Sequence, residues 1–189
     1  MQPFPCSSCG QLLFFDNTAC LRCGSPVGYV PEAAELVVLR PVGTGFERLD
    51  GQPGFYRHCS NQMIARCNWM VSADEGVDLC QSCRLTSVRP NDTEADSVQS
   101  FAAAEAAKRR LLHQLTSLGL PVIDRSVDRE RGVAFEFLSS RGRDVITGHD
   151  SGVITLDPVS YTHLRAHETY LLISYAVFCL KRGGGGGGG

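Results

Sequence analysis

Eight cysteines in two groups of four constrain this chain more than any other feature. The first group is Cys6-Ser-Ser-Cys9 and, ten residues on, Cys20-Leu-Arg-Cys23. The second is Cys59, then Cys67 after seven residues, then Cys80-Gln-Ser-Cys83 after twelve more. Two Cys-x-x-Cys pairs a short loop apart are the sequence form of a structural zinc ribbon. A Cys-x-x-Cys turn aims two thiolates at one point, and a second pair completes a tetrahedron. Gly10 and Gly24 directly follow Cys9 and Cys23. Glycine there permits positive φ, and the expectation is that its amide approaches a ligand sulfur. In the second group Arg84 stands where that glycine would be.

The expected ligands are Cys6, Cys9, Cys20 and Cys23 for one zinc ion and Cys59, Cys67, Cys80 and Cys83 for another. His58, beside Cys59, is the one candidate replacement ligand; a histidine merely neighbouring the true ligand is the simpler reading. Disulfide bridges are the competing chemistry, as in short secreted chains. Met1-Gln-Pro-Phe-Pro5 carries no basic start and no apolar run, so no secretory signal is expected. Reduced, zinc-bound thiols suit a bacterial-type cytoplasm.

The end of the chain reads differently. Val159-Ser-Tyr-Thr-His-Leu-Arg-Ala-His-Glu-Thr169 resembles a translated short-read library adapter of the transposase type. Ile173-Ser-Tyr-Ala-Val-Phe-Cys-Leu180 resembles the flow-cell end in the same frame, and Gly183 to Gly189 fits a run of called G. Residues 158–189 are therefore expected to be artefactual and disordered, and they stay outside the fold reasoning. With them go three tempting features. Tyr170 to Leu180 is too short for the ~17–25 residues of a membrane span. Cys179 would be a ninth cysteine. His163 and His167, followed by Glu168, lack the order of H-E-x-x-H.

Removing Arg165, Lys181, Arg182 and Glu168 from the chain's 18 basic and 20 acidic residues leaves 15 and 19, a formal charge of −4. That balance argues against nucleic acid as a partner. The cysteine region is too small to build much apolar core, so metal must supply folding energy.

Along the chain, residues 3–30 form the first ribbon within a first domain of residues 1–30. Leu12-Leu-Phe-Phe15 is read as a strand, with Leu12, Phe14 and Tyr29 beside the metal. Residues 31–90 form the second cysteine region. Strands are expected at Leu36–Leu39, at Phe55–His58 leading into Cys59, and at Asn68–Val71 leading out of Cys67. Turns are expected at Gly43–Gly45 and Asp50-Gly51, and Trp69 is expected in the core. Residues 91–157 form the third region. After a polar linker from Pro90 to Ala95, Asp96-x-x-Gln99 reads as a capping box. A helix runs on to Leu118 with Phe101, Ala104, Leu111, Leu112, Leu115 and Leu118 on its apolar face. Gly119 and Pro121 stop it. Lys108-Arg109-Arg110 reads as a solvated face. Strands follow at Val133–Leu138, Val145–Thr147 and Val153–Leu156, the last two joined by a tight turn, Gly148–Gly152, that exposes His149.

The order of parts carries a resemblance. Phe4-Pro-Cys-Ser-Ser-Cys-Gly-Gln-Leu-Leu-Phe-Phe15 leads through Cys20-Leu-Arg-Cys-Gly24 to Gly28-Tyr-Val-Pro-Glu32. Cys67-Asn-Trp69 and Leu79-Cys-Gln-Ser-Cys-Arg-Leu85 follow, then Glu105-Ala-Ala-Lys-Arg-Arg-Leu111, Ala134-Phe-Glu-Phe-Leu138 and Thr147-Gly-His-Asp-Ser-Gly-Val-Ile-Thr-Leu156. From Met1 to Asp157 the chain resembles the bacterial zinc-binding metallopeptidase family that carries an N-terminal zinc-ribbon domain. The resemblance implies a small α+β fold: two four-cysteine zinc sites, then an amphipathic helix and strands of an incomplete zincin-like domain. Family members continue to a helix bearing His-Glu-x-x-His, which nothing here matches. It thus implies a truncated hydrolase without catalytic residues of its own. The third, catalytic zinc and any peptide or protein substrate would belong to the full-length parent. The alternative class is a stand-alone zinc-ribbon adaptor for protein or nucleic acid. The β segment from Val133 to Leu156 weighs against it, because an adaptor has no need of that segment.

Overall fold

A computed structural model describes residues 3–90, 95–138 and 147–157. The chain divides into two compact units, Met1–Cys83 and Arg84–Gly189.

In the first unit, β1 (Phe4–Pro5) pairs antiparallel with β2 (Leu12–Leu13). A five-stranded antiparallel meander follows: β3 (Val27–Val30), β4 (Glu35–Val42), β5 (Gly45–Arg48), β6 (Phe55–His58) and β7 (Met70–Ser72). The expected strands at Leu36–Leu39 and Phe55–His58 are present, as is the Gly43 turn with its positive φ. In β4, Leu36, Val37, Val38 and Leu39 are all buried, so this strand is covered on both faces. Val30, Val37, Leu39, Tyr56 and Met70 form one apolar cluster, with Phe46 against it.

A second packing centre ties the two cysteine groups together. Tyr29 stacks at 4.7 Å on Trp69 and at 4.9 Å edge-on to Phe15. Asn68 adds hydrogen bonds from its side chain to the Phe15 carbonyl at 2.5 Å and from the Tyr29 amide to its own carbonyl at 2.8 Å. Trp69 is thus core, as read. The expectation for Leu12 and Phe14 is corrected: both are more than half exposed, and Leu13 and Phe15 are the buried pair. The register Phe4↔Leu13 turns the odd positions inward. A one-residue change of phase exchanges the faces of a strand.

The chain leaves the cysteine region through a single helical turn, α1 (Gln81–Arg84). The second unit's sheet has the order β10-β11-β9-β8. Its strands are β8 (Thr86–Val88), β9 (Ala134–Phe137), β10 (Gly148–Asp150) and β11 (Val153–Leu156). β8, β9 and β11 run parallel, and β10 is an antiparallel edge. The 23-residue helix α2 (Ala95–Ser117) makes the crossover from β8 to β9. It sets Phe101 edge-on to Phe137 at 5.0 Å.

α2 begins at Ala95, so Asp96 sits within the first turn and is not the cap that the capping box required. At its other end, the Leu120 amide donates to the Leu115 carbonyl and the Gly119 amide to that of Thr116, with Gly119 at φ 67°. This is a Schellman stop, in the place expected. Leu118, expected on the apolar face, is 72% exposed because the chain has begun to turn there.

The basic run is the larger correction. Lys108 is fully buried and Arg109 nearly so. Lys108 Nζ lies 2.6 Å from Glu105 Oε1 and 5.1 Å from the centre of the Phe135 ring, and it also donates to the Thr86 hydroxyl. The Gly148–Gly152 turn is tighter than read: Gly148–Asp150 is strand, and only Ser151 and Gly152 turn. Of the strand expected at 145–147, Val145 and Ile146 lie outside the described residues. So do 91–94 of the linker and all of 158–189.

Candidate metal centres

The first centre is built from two copies of one backbone device. The Cys6 amide donates to the Gln11 carbonyl, and the Cys20 amide to that of Ser25, each at 2.8 Å. The Gly10 amide donates to the Cys6 carbonyl and the Gly24 amide to the Cys20 carbonyl, again at 2.8 Å. Both glycines have φ near +74° (74° and 73°), a conformation that costs an L-residue roughly 1–2 kcal/mol. The glycine requirement is therefore real, but the amide reaches the first cysteine's carbonyl and closes the loop, where a sulfur contact was expected. The two loops bring Cys6 Sγ to 3.8 Å from Cys23 Sγ, and Cys9 Sγ to 3.6 Å from Cys20 Sγ.

The second centre uses a different device. Cys59 follows β6, and Arg66, at φ 47°, swings the chain so that Cys67 turns back before β7. Cys80 and Cys83 stand at the start of α1 and within it, which accounts for Arg84 in place of a glycine. The Cys80 amide points at Cys59 Sγ (3.4 Å) and the Cys83 amide at Cys80 Sγ (3.5 Å). Cys67 Sγ is 3.6 Å from Cys80 Sγ and 3.8 Å from Cys83 Sγ.

In each group the four sulfurs lie within 4.8 Å of one another. A tetrahedron of four thiolates around zinc, with Zn–S near 2.3 Å, has edges of about 3.8 Å, so both groups have the size and donor set of a zinc shell. A disulfide needs sulfurs at about 2.05 Å. The eight cysteines of the two groups are all free thiols, with no disulfide among the described residues.

The environments differ. All four cysteines of the second centre are buried; in the first, Cys23 is exposed and Cys9 half-exposed. Hydrogen bonds from Cys67, Cys80 and Cys83 pull the Cys59 thiol far below its usual range. The same contacts, Cys59 foremost, push Cys80 and Cys83 up. A divalent ion among the four sulfurs would favour the thiolate form of all of them. At the first centre, the Ser25 hydroxyl, 3.3 Å from Cys23 Sγ, and the Ser25 amide lower Cys23 to about 6.

His58 is not part of the second group. Its ring lies edge-on to Phe46 at 4.5 Å, and burial lowers its pKa. His113 is half-buried on α2, and His149 is exposed on β10. Among the described residues, only the two cysteine groups bring three or more metal-binding side chains together. Sequence reasoning missed the α1 amides and Ser25; a serine two residues after a ligand cysteine was the available signal.

Two four-cysteine tetrads of this geometry, the first on paired Cys-x-x-Cys-Gly loops, define a zinc-ribbon protein, here followed by a mixed α/β unit. Comparison with known families agrees: residues 3–94 match a zinc-ribbon domain. Residues 97–165 match the family described as "Putative zinc-binding metallo-peptidase". The resemblance read from the sequence is thereby borne out. The second match runs beyond Asp157 to residue 165, into the adapter-like segment. Relatives include an uncharacterized protein of Mycobacterium bovis and others of Mycobacterium tuberculosis strains CDC 1551 and H37Rv. Each is 43% identical over 157 residues, which cover 83% of this chain and 43% of the relative. The chain thus spans less than half the length of the curated relatives it matches. No solved structure matches. Among the described residues, no helix is long and apolar enough to cross a membrane.

Proposed function

We propose that this chain is the zinc-stabilised front part of a zinc metallopeptidase and holds two structural zinc ions but no catalytic one. Cys6, Cys9, Cys20 and Cys23 ligate the first ion; Cys59, Cys67, Cys80 and Cys83 ligate the second. The single observation that carries this reading is the pair of cysteine tetrads, in each of which the four sulfurs lie within 4.8 Å of one another and the closest approach to 3.6 Å. Closed four-sulfur shells leave no position for water, so neither ion is a hydrolytic centre. A peptidase zinc needs about three protein ligands, an open position and a carboxylate base. His58, His113 and His149 lie on three different elements and supply no such set.

In the whole protein, the second unit's sheet and α2 would support a zincin-like cleft for a peptide or protein substrate. Free, unbridged thiols favour a reducing compartment such as the cytoplasm. Residues 158–189 are read as adapter-derived and dispensable. Leu12, Phe14 and Leu21, exposed on the first ribbon, favour the adaptor as a second reading, with protein rather than nucleic acid as partner.

An assay of the zinc-loaded chain on unfolded casein tests the proposal. No hydrolysis above a buffer blank is expected from this chain. Chelator-sensitive hydrolysis is expected once the C-terminal part of the longer relatives is joined after Asp157. Cleavage by this chain alone would refute the absence of a catalytic centre. An inactive full-length protein would favour the adaptor.

A further inference from the structure

One buried polar residue of the first unit belongs to both metal centres. Asn68 directly follows the ligand Cys67 and precedes the core Trp69, and it is 4% exposed. Its side chain reaches into the first ribbon: Nδ2 donates to the Phe15 carbonyl at 2.5 Å and to the Asn17 carbonyl at 3.4 Å. Those carbonyls lie on the turn between Cys9 and Cys20, the turn that joins the two Cys-x-x-Cys loops. The turn is closed on itself, the Phe14 amide donating to Asn17 Oδ1 at 2.7 Å and the Asn17 amide to the Phe14 carbonyl at 2.9 Å.

The Asn68 backbone holds the ribbon a second time, its carbonyl accepting from the Tyr29 amide at 2.8 Å. Around it, Tyr29 packs on both Phe15 and Trp69. Each of these contacts joins a residue beside one ligand set to a residue beside the other. None can form until both loops are ordered, and small metal loops order when their ion binds. The ion that binds first therefore meets part of the ordering cost of the second.

We infer that Asn68 couples the two zinc centres, so that filling either one raises the zinc affinity of the other. Filling the second centre pins Cys67, and with it the Asn68 carboxamide that holds the turn of the first. Filling the first centre fixes that turn, and with it the carbonyls that receive the carboxamide. A residue that merely stabilised one centre would change that centre's affinity and leave the other's unlinked to it. The inference rests on both tetrads taking zinc.

The test reads each centre separately in the full, reduced chain. Across a series of zinc buffers, mass spectrometry follows the protection of each cysteine from a maleimide, which gives one midpoint in free zinc for each group. Cys59→Ser disables the second centre and should raise the first group's midpoint by about 5–150-fold, the usual range of coupling between sites. Cys6→Ser should raise the second group's midpoint by the same factor, because coupling is reciprocal. Both variants still fill their remaining centre at excess zinc. In an Asn68→Ala background the factor should fall about fivefold, the value of roughly one hydrogen bond. A readout independent of position 68 is hydrogen exchange in Cys6→Ser: zinc on the second centre alone should slow the Tyr29 amide, the donor to the Asn68 carbonyl. Midpoints unmoved by loss of the other centre, a factor undiminished in Asn68→Ala, or an unslowed Tyr29 amide would each overturn the inference. One zinc equivalent in the parent would overturn it together with the two-zinc reading; two equivalents with independent midpoints would overturn it alone.

Discussion

Single side chains decide two outcomes. At the second metal centre Cys59 is buried among three other sulfurs, and a serine there removes one corner of the tetrahedron. Cys59→Ser should release one zinc equivalent while the first centre keeps its own, as native mass spectrometry would read. In the second unit, Lys108 and Glu105 are both wholly buried. Breaking a buried pair strands a charge, at a cost of about 3–5 kcal/mol. Lys108→Met alone should lower the urea midpoint accordingly, whereas Lys108→Met with Glu105→Leu should recover most of that loss. A double variant no better than the single would contradict a paired role. The basic run Lys108–Arg110 was misread because three consecutive charges resemble a solvated face. Helical spacing held the correction: positions 101, 105, 108, 112 and 115 share one stripe, and Glu105 and Lys108 are a facing pair within it.

The elements differ in how far the sequence announces them. The Cys-x-x-Cys-Gly loops are legible because their geometry is local: a turn, a positive φ and two thiols within five residues. The α2 stop at Gly119 is legible for the same reason. The phase of Leu12–Phe15 is not, because a two-residue strand takes its facing from its partner, β1. β8 was missed since Thr86–Val88 is short and joins the sheet only through the distant β9. The second tetrad's four cysteines could be listed from spacing, while the α1 turn that aims two of them could not. The two centres also differ in exposure, and this sets an order of metal loss. A chelator should strip the first centre, with its exposed Cys23, before the wholly buried second one. Colorimetric zinc release should therefore be biphasic, with the fast phase abolished by Cys23→Ser. A single phase of two equivalents would contradict it.

For the whole molecule, metal and fold are coupled unevenly. The first unit is under ninety residues and shares its packing centre, Phe15, Tyr29 and Trp69, between two metal loops. Structural zinc contributes about 10–16 kcal/mol of apparent binding free energy in small domains, more than such a core supplies. Removal of both ions should unfold residues 3–83, seen as lost β signal and rapid proteolysis there. The helical signal of α2 should persist, because its contacts are with the second unit's own sheet. Loss of both signals together would show that the second unit also depends on the metal. Deleting 158–189 should leave zinc content and solubility unchanged or improved; loss of folding would refute the adapter reading. The central claim is two zinc ions in two all-cysteine shells, and metal analysis of the purified, reduced chain tests it most directly. Two equivalents of zinc per chain are predicted, falling to one in Cys59→Ser and to none when Cys6→Ser is added. One equivalent in the parent chain, or two in Cys59→Ser, would contradict it.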